Sequence, residues 1–343
     1  MALTQHTIAI HWVDQILQGA RRQGLDVDAL LAKSGISPAL LEARLARVSQ
    51  QQYSALIRTL CRALRDEYWG LMSRPLRVGS FAQGCEILIH CSNLRQVLQR
   101  GFHYYRLLLD DFYARLQVKH GVAHVSLSEC RPDDPRIAFA QITFLFFTFG
   151  LASWLVARRI PFLSVDYRES GPVPGSIASR VFQAPVRYGQ ARMGFSFEAR
   201  WLDLPVVQNP QTLREFLRRA PLDLLVRYRD HSSTTERIRR LLLRHLDGEL
   251  PALEAVGKSL AMTPQTLRRR LREEGQGFQA LKDDLRRDAA IEYLARAELS
   301  LVDIAARLGY SEPSTFHRAF KKWTGVAPGE YRHSHCKGAD PAG

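Results

Sequence analysis

Cysteine is scarce in this sequence, and its pattern excludes two kinds of site. The 343 residues include five cysteines, an odd number, and no two of them form a C-x-x-C pair. Such a set is not a disulfide framework, and the nearest metal-ligand cluster, His333 to Cys336, lacks the four suitably spaced ligands of a zinc site. The N-terminal residues MALTQHTIAI also lack the charged segment and apolar run of a secretory signal. We therefore expect a reduced, cytoplasmic protein that holds no metal and no other cofactor.

Acidic residues are in the minority. The chain has 34 Asp and Glu residues against 48 Lys and Arg residues, which gives a net charge of +14 at pH 7. Hydrophobic residues make up 46% and charged residues 24%, proportions that are ordinary for folded domains and exclude a disordered or collagen-like chain. The length predicts two domains. The positive charge favours a polyanionic partner, either DNA, RNA or a lipid surface.

Long apolar runs are also rare. One stretch, from Ile137 to Ala157, contains no charged residue over 21 positions, which is long enough to cross a bilayer. Polar residues interrupt it, and arginines flank it on both sides instead of one. We interpret it as a helix buried inside the N-terminal domain and expect no contact with a membrane.

The motifs of common enzyme classes are missing. The sequence contains no G-x-S-x-G, P-loop or H-E-x-x-H motif. We therefore predict that the protein is not an enzyme. A remote alternative is a DNA-repair alkyltransferase fused to a helical DNA-binding domain. Its activated cysteine would lie beside His and Pro, whereas the segment HCSN at 90–93 contains no proline.

The spacing of apolar residues predicts helices followed by strands in the first two hundred residues. Apolar residues recur at helical spacing in residues 11–23, 40–72 and 92–111. From Phe112 the period changes to two, and residues 112–119 and 123–130 flank His120-Gly121, which predicts a hairpin. Further short strands are expected at 162–168, 184–189 and 194–199. This part of the chain is therefore predicted to be an α+β domain.

A first helix-turn-helix pattern occupies residues 253–273. It predicts a short helix, a tight turn at Ala261-Met262, and a second helix with Thr263 as its N-cap and Pro264 at its first position. A second pattern at residues 302–323 repeats this plan. There the predicted turn contains Gly309 and the predicted cap is Ser311.

The second helices of the two patterns present matching outer faces. Leu267 and Leu271 are predicted to face inward in the first helix, as are Phe316 and Phe320 in the second. Arg and Gln side chains can hydrogen-bond base edges in the major groove of DNA, and Ser or His can reach them more loosely. The predicted base-contacting residues on the outer faces are Gln265, Arg268, Arg269, Ser314, His317 and Arg318.

Other basic residues near these faces are better suited to phosphates, which fix position without reading sequence. The predicted phosphate-contacting residues are Arg270, Arg272, Lys321, Lys322 and Arg332. Between the two patterns, residues 283–297 predict one amphipathic helix. It is long enough to separate two recognition helices, so that one chain could enter two successive major-groove segments about 34 Å apart.

The C-terminal hundred residues resemble the DNA-binding domain of the AraC/XylS family of bacterial transcription regulators. The resemblance rests on the segment IAARLGYSEPSTFHRAFKKWTGVAPGEYR, residues 304–332. The family's base-contacting positions fall on the same six residues that the helical faces predict. One departure is Ala261, where the family commonly has glycine. The resemblance implies double-stranded promoter or operator DNA as the partner and RNA polymerase as a further one.

The N-terminal part is similar to the arabinose-binding-like domain of regulators of the ornithine-utilisation type and does not resemble the cupin sensors of sugar regulators. The order of its segments carries this resemblance, including FQAPVRYGQARMGFSFEARWLDLPV near its end. The resemblance implies a domain that senses an effector or forms a homodimer. The alternative is a domain that only dimerises or binds another protein.

Two hypotheses concern this N-terminal domain. Aromatic residues close to charges suggest an effector pocket, with Tyr104, Tyr105, Arg106, Phe146 and Trp154 as candidate ligand-binding residues. The Leu- and Arg-rich segment 221–229 suggests a dimerisation helix. The predicted domain limits are 1–208 for the effector-binding or dimerisation domain, 209–232 for a linker helix region, 233–334 for an all-α DNA-binding domain, and 335–343 for a flexible tail.

Overall fold

The computed structural model of the protein describes residues 7–130, 135–168, 170–171, 184–221, 224, 234–246, 248–273, 277–296 and 298–336. Two short 3₁₀ helices lie at Pro38–Glu42 and Ala199–Asp203. The other helices and strands are, in chain order, β1 (Ile8–Ala9), α1 (Ile10–Ile16), α2 (Gln18–Arg22), α3 (Val27–Lys33), β2 (Arg47–Val48), α4 (Gln50–Leu64), α5 (Ser80–Leu88), α6 (Leu94–Leu108), β3 (Phe112–Lys119), β4 (Val122–Glu129), α7 (Pro135–Leu155), β5 (Phe162–Asp166), β6 (Val186–Arg187), β7 (Gly194–Glu198), α8 (Pro210–Arg219), α9 (Thr234–Leu243), α10 (Leu253–Leu260), α11 (Pro264–Glu273), α12 (Phe278–Leu294), α13 (Leu301–Arg307), α14 (Pro313–Thr324) and α15 (Pro328–Cys336).

The chain divides into two compact units. The α+β unit comprises the described residues of 15–27 and 57–228, and the helical unit comprises those of 1–14, 28–56 and 229–343. The predicted fold class, an α+β domain followed by a helical one, is confirmed. The division differs from the predicted limits, because two N-terminal segments, 7–14 and 28–56, pack with the C-terminal helices.

The α+β unit contains a five-stranded sheet with the strand order β3-β4-β7-β5-β6. Its pairs are antiparallel except for β5 and β6, which are parallel. The predicted hairpin is confirmed: Lys119 pairs with Val122 across a two-residue turn in which His120 and Gly121 both have positive φ. Such a turn matches the right-handed twist of the strands that it joins.

The apolar helix α7 lies in the core of this unit, as predicted. By length and hydropathy, residues Arg136–Leu155 could cross a bilayer, but 61% of that stretch is buried inside the protein. Its Phe149 packs against Phe162 of the sheet with ring centroids 4.7 Å apart, and Phe144 packs edge-on against Phe112 at 5.5 Å. These contacts explain the absence of a polar face on α7, because protein surrounds most of it.

The helical structure predicted within residues 40–72 is confirmed in part. Only α4 and a 3₁₀ turn are helical there, and Arg65 and Trp69 adopt positive φ. The carboxylate of Asp66 is 2% exposed and accepts hydrogen bonds from the backbone N–H groups of Tyr68, Gly70 and Leu76. These bonds hold an irregular loop whose apolar side chains reach the core without forming a helix.

The helical unit places its N-terminal segments against its C-terminal helices. Strands β1 and β2 form a small antiparallel pair, and the 3₁₀ helix Pro38–Glu42 packs on α15. Helix α12 runs through the centre of the unit and contacts α9, α13, α14 and α15. The predicted amphipathic helix at 283–297 is thus confirmed as a helix, which begins earlier, at Phe278.

Candidate nucleic-acid interface

The first helix-turn-helix forms as predicted. Helix α10 ends at a left-handed Ala261, with φ of 53°, and the N–H of Met262 bonds the carbonyl of Gly257 at 2.9 Å. This bond satisfies a carbonyl at the end of the helix. A Cβ on Gly257 would lie 2.7 Å from the carbonyl oxygen of Met262, so the tight turn requires glycine there. Thr263 caps α11 by accepting a hydrogen bond from the N–H of Thr266 at 3.2 Å.

The second helix-turn-helix also forms, but with a different cap. Gly309 occupies the turn with φ of 75°, as predicted. The residue at the N-cap position of α14 is Glu312, which makes no side-chain cap bond, so the assignment of Ser311 as the cap is wrong. The physical reason is Pro313, which favours the first helical position and holds the residue before it in an extended conformation.

Buried side chains fix the rotation of both recognition helices about their axes. Leu267 and Leu271 of α11 are 0% and 1% exposed. Phe316 and Phe320 of α14 are 1% and 0% exposed, and their ring centroids lie 5.8 Å apart. The predicted inward faces are therefore correct, and each helix turns its opposite face toward solvent.

The predicted base-contacting residues all lie on these solvent-facing sides. Every one of the six is exposed, namely Gln265, Arg268, Arg269, Ser314, His317 and Arg318. On each helix they span slightly more than one turn, so their side chains share one stripe. The two stripes carry three guanidinium groups, one amide and one imidazole, all of which are planar and can donate hydrogen bonds, and they also carry the hydroxyl of Ser314.

The predicted phosphate-contacting residues divide into two groups. Arg270, Arg272, Lys321 and Lys322 are exposed beside the two stripes. Arg332 is only half-exposed, and its Nε and Nη2 atoms are buried without a hydrogen-bond partner among the described residues. Its position on α15 therefore differs from that expected of a side chain that reaches a phosphate.

A buried polar network that the sequence did not reveal joins the N-terminal segment to α12. Asp288 is 4% exposed and accepts hydrogen bonds from the Thr7 hydroxyl at 2.7 Å and from Arg287 Nη2 at 3.1 Å. Arg239 Nη2 lies 3.8 Å from the same carboxylate. Arg47 in turn donates from Nε to the Thr7 hydroxyl at 2.7 Å. A buried charge needs such partners, so this network fixes the N-terminal segment on the helical unit.

The candidate effector residues do not form one site. Tyr105 lines a cavity of 430 Å³ in the α+β unit. Tyr104 points elsewhere and donates its hydroxyl hydrogen to the carbonyl of Ser80 at 2.8 Å, while Arg106 is exposed over the ring of Tyr113. Trp154 stacks on Phe216 at 4.2 Å.

Phe146 is also absent from the cavity wall, although the next residue, Phe147, lines it. Adjacent helical residues point about 100° apart, so neighbours in sequence need not share a site. The predicted dimerisation segment 221–229 lies outside the described residues except for Pro221 and Leu224. Within the described residues, no group of three His, Cys, Asp or Glu side chains is placed to hold a metal.

Comparison with known proteins assigns families to both parts of the chain. Residues 24–206 match the family described as "Arabinose-binding domain of AraC transcription regulator, N-term", and residues 256–334 match the family described as "Helix-turn-helix domain". The first match alone spans 183 of the 343 residues.

Several relatives align along almost the whole chain. The ornithine utilization regulator of Pseudomonas aeruginosa is 26% identical over 333 residues, covering 96% of this chain and 98% of that protein. An HTH-type transcriptional regulator of Mycobacterium tuberculosis is 29% identical over 327 residues, covering 91% and 92%. The crystal structure of transcriptional regulator CdpR from Pseudomonas aeruginosa is 21% identical with a TM-score of 0.32, covering 94% of this chain and 98% of that one.

The matched families coincide with the features that the structure presents. The α+β unit contains most of the arabinose-binding-type region, and the two helix-turn-helix patterns lie within or at the edge of the helix-turn-helix match. The protein belongs to the AraC family of transcription regulators.

Proposed function

We propose that this regulator binds specific double-stranded DNA sequences through both helix-turn-helix elements, so that one chain reads two successive major-groove segments. The observation that carries the proposal is the pair of equivalent exposed stripes on α11 and α14. Both helices pack by apolar faces onto the same unit, with α12 between them in the chain. At a rise of 1.5 Å per residue, its 17 residues span about 25 Å, which is about three quarters of the roughly 34 Å of one DNA turn.

The residues of the stripes take different roles in this proposal. Arg268, Arg269 and Arg318 are long enough for bidentate hydrogen bonds to guanine, and Gln265 suits adenine. Ser314 and His317 make shorter contacts to base edges. The exposed basic residues beside the stripes hold the phosphate backbone and supply affinity that falls as salt rises, because binding releases counterions. They are Arg270, Arg272, Lys321 and Lys322.

We also propose that the protein acts as a cytoplasmic homodimer that contacts RNA polymerase at the promoter and that its α+β unit senses a small molecule. The cavity of 430 Å³ in that unit favours sensing over the alternative of a domain that only dimerises, because ligand sites in proteins are concave cavities of about this size. The family match supports the same assignment.

The alternative of a DNA-repair alkyltransferase has no support from the structure. Such an enzyme needs a reactive thiolate with a lowered pKa. Cys91 is 4% exposed, and burial raises the pKa of its thiol despite the nearby positive charge of Arg100. Burial also raises the pKa of Cys61, to about 11.

Selection of binding sites from a pool of random DNA duplexes, followed by footprinting with the full chain, tests the proposed function. We expect enriched sites with two protected major-groove segments about one helical turn apart. The double variant Arg268→Ala/Arg318→Ala, with its fold checked by circular dichroism, should lose this preference. Enrichment of no sequence, or identical preference in wild type and double variant, would contradict the proposal.

A further inference from the structure

The cavity of the α+β unit lies between helices α4 to α8 and the loop that follows α4. All of its lining residues belong to that unit. Its volume of 430 Å³ lies in the range of small-molecule sites. Aliphatic and aromatic side chains form most of the wall, among them Leu88, Leu98, Phe144, Phe147, Leu151 and Leu217. Such a wall favours a ligand with an apolar body, because burying apolar surface drives its transfer from water.

Two phenol groups interrupt this apolar wall. Tyr68 is 6% exposed and lies on the loop after α4, and Tyr105 lies on α6. No hydrogen bond joins either hydroxyl to another group within the described part of the chain. Burial raises the pKa of both phenols, so both stay protonated and able to donate. Both hydroxyls can therefore donate to an acceptor on a molecule bound in the cavity.

Two other polar side chains of the wall already have hydrogen-bond partners. The carboxylate of Glu67 accepts hydrogen bonds from the N–H groups of Gly79 at 2.7 Å and Phe81 at 2.8 Å. The indole N–H of Trp69 donates to the Cys61 sulfur at 3.1 Å. The two phenol hydroxyls are therefore donors available to a bound molecule, beside the hydroxyl of Thr148, which also lines the cavity.

The charge close to Tyr68 and Tyr105 disfavours an anionic ligand. Glu67 lines the cavity next to Tyr68, and its charge adds to the effect of burial in raising the pKa of both Tyr68 and Tyr105. A ligand carboxylate there would meet the same repulsion. Arg58 and Arg62 also line the cavity, but their side chains are exposed and their charges are screened by water.

A sugar does not fit this wall. Each hydroxyl of a buried pentose needs a hydrogen-bond partner, and burying it without one costs free energy. Within the described residues, the lining offers few polar groups against many apolar ones. The chemistry of the cavity thus differs from the ligand in the name of the matched family.

We propose that this cavity binds an uncharged, mainly apolar molecule that carries one carbonyl acceptor, such as a ketone, ester or amide, and that Tyr68 and Tyr105 donate hydrogen bonds to that carbonyl. The inference rests on the proposed sensing function and adds to it the chemical class of the effector. The phenols set specificity, and the apolar wall supplies most of the affinity.

Binding of a matched nine-carbon series to the full chain, measured by calorimetry, tests this inference. The probes are 2-nonanone, nonanoate and nonylamine, and arabinose is tested as a polar, uncharged comparison. We expect 2-nonanone to bind at least about tenfold more tightly than nonanoate or nonylamine, and arabinose not to bind. Tyr68→Phe and Tyr105→Phe should each weaken 2-nonanone binding about threefold to tenfold, the effect of one lost hydrogen bond.

Two controls separate binding in the cavity from other effects. Tyr104→Phe removes a hydroxyl that donates to Ser80 outside the cavity and should leave 2-nonanone binding unchanged. Ala82→Trp fills the cavity from its half-buried wall position and should abolish binding while the melting temperature stays close to that of the wild type. If Ala82→Trp does not fold, the two Tyr→Phe variants still test whether the ketone binds in the cavity.

The inference is overturned if 2-nonanone does not bind, if nonanoate or arabinose binds more tightly, or if both Tyr→Phe variants bind like the wild type. Affinity for a selected DNA site is measured on the same samples. A chain that binds DNA but not the ketone contradicts only the ligand class, whereas a chain that binds no DNA sequence specifically contradicts the proposed function.

Discussion

The hydroxyl of Tyr331 donates a hydrogen bond to the backbone carbonyl of Arg47, which lies 284 positions earlier in the chain. The Tyr331 ring is fully buried and packs edge-on against Phe320 of the second recognition helix, with ring centroids 5.4 Å apart. One side chain thus contacts both the N-terminal segment and the helix that we propose reads DNA. The N-terminal segment therefore supports the position of that helix.

This relationship predicts the effect of removing one hydroxyl. Tyr331→Phe keeps the ring against Phe320 but removes the hydrogen bond to the carbonyl of Arg47, so it should lower the free energy of unfolding by about 1 kcal/mol. Urea denaturation measures the change. Tyr310→Phe is the matched control, because the Tyr310 ring packs on Phe316 while its hydroxyl has no hydrogen-bond partner among the described residues. Equal stability of the two variants would contradict the prediction.

The network around Asp288 predicts a larger loss of stability. Asp288→Asn removes the charge that compensates the buried guanidinium of Arg239 and the half-buried guanidinium of Arg287, and it should cost about 3 kcal/mol. The control is Asp284→Asn, which breaks a less buried pair with Arg287 at 2.8 Å and should cost less. Chemical denaturation compares the two. A loss at Asp288 no larger than that at Asp284 would show that the buried network contributes little.

The helix-turn-helix elements could be predicted from the sequence because their signals are local. Thr263 and Pro264 mark the start of one recognition helix, and the apolar pairs at four-residue spacing fix which face points inward. The one error, Ser311 in place of Glu312 as the N-cap, has a local cause too. Proline at position 313 sets the helix start one residue later than the preference for a serine cap suggested.

The network and the cavity could not be predicted, because they depend on contacts between distant segments. Thr7 and Asp288 are 281 positions apart, and nothing near Thr7 indicates that it contacts a C-terminal helix. The only signal was an acidic residue on the apolar side of α12. In the α+β unit, α7 is apolar all round, so its sequence does not show which side lines a cavity. The choice between Tyr104 and Tyr105 likewise depends on the packing of α6.

Glu292 predicts a dependence of stability on pH. Burial raises its pKa from an ordinary value of 4.5 to about 7, against the lowering effect of Arg296. Between these two values the unfolded chain releases a proton that the folded chain retains, so stability falls as pH rises through this window. Glu292→Gln removes the ionisable group. Its stabilising effect should therefore be small at pH 5 and reach about 1 kcal/mol at pH 8, less than the full shift because the side chain is partly exposed.

Thermal unfolding at the two pH values measures this difference. Glu298→Gln serves as the control, because it removes one carboxyl from an exposed position after the same helix. A gain from Glu292→Gln that is equal at both pH values would mean that the carboxyl titrates alike in the folded and unfolded chains.

The two kinds of contact proposed for DNA predict different responses to substitution. Arg318→Ala or Arg269→Ala should weaken binding to a selected site by about 1–3 kcal/mol and relax the preference at one base pair, because the lost hydrogen bonds read a base edge. Lys322→Ala should weaken binding to all sequences about equally and reduce the slope of log affinity against log salt by about 1, because it removes one phosphate contact.

Titrations of specific and random duplexes at several salt concentrations distinguish these responses. Arg214→Ala, an exposed arginine of the α+β unit, should change neither affinity nor slope. If Arg318→Ala instead lowered affinity for both duplexes equally, Arg318 would be a phosphate contact and the assignment of the outer face of α14 to base reading would be wrong.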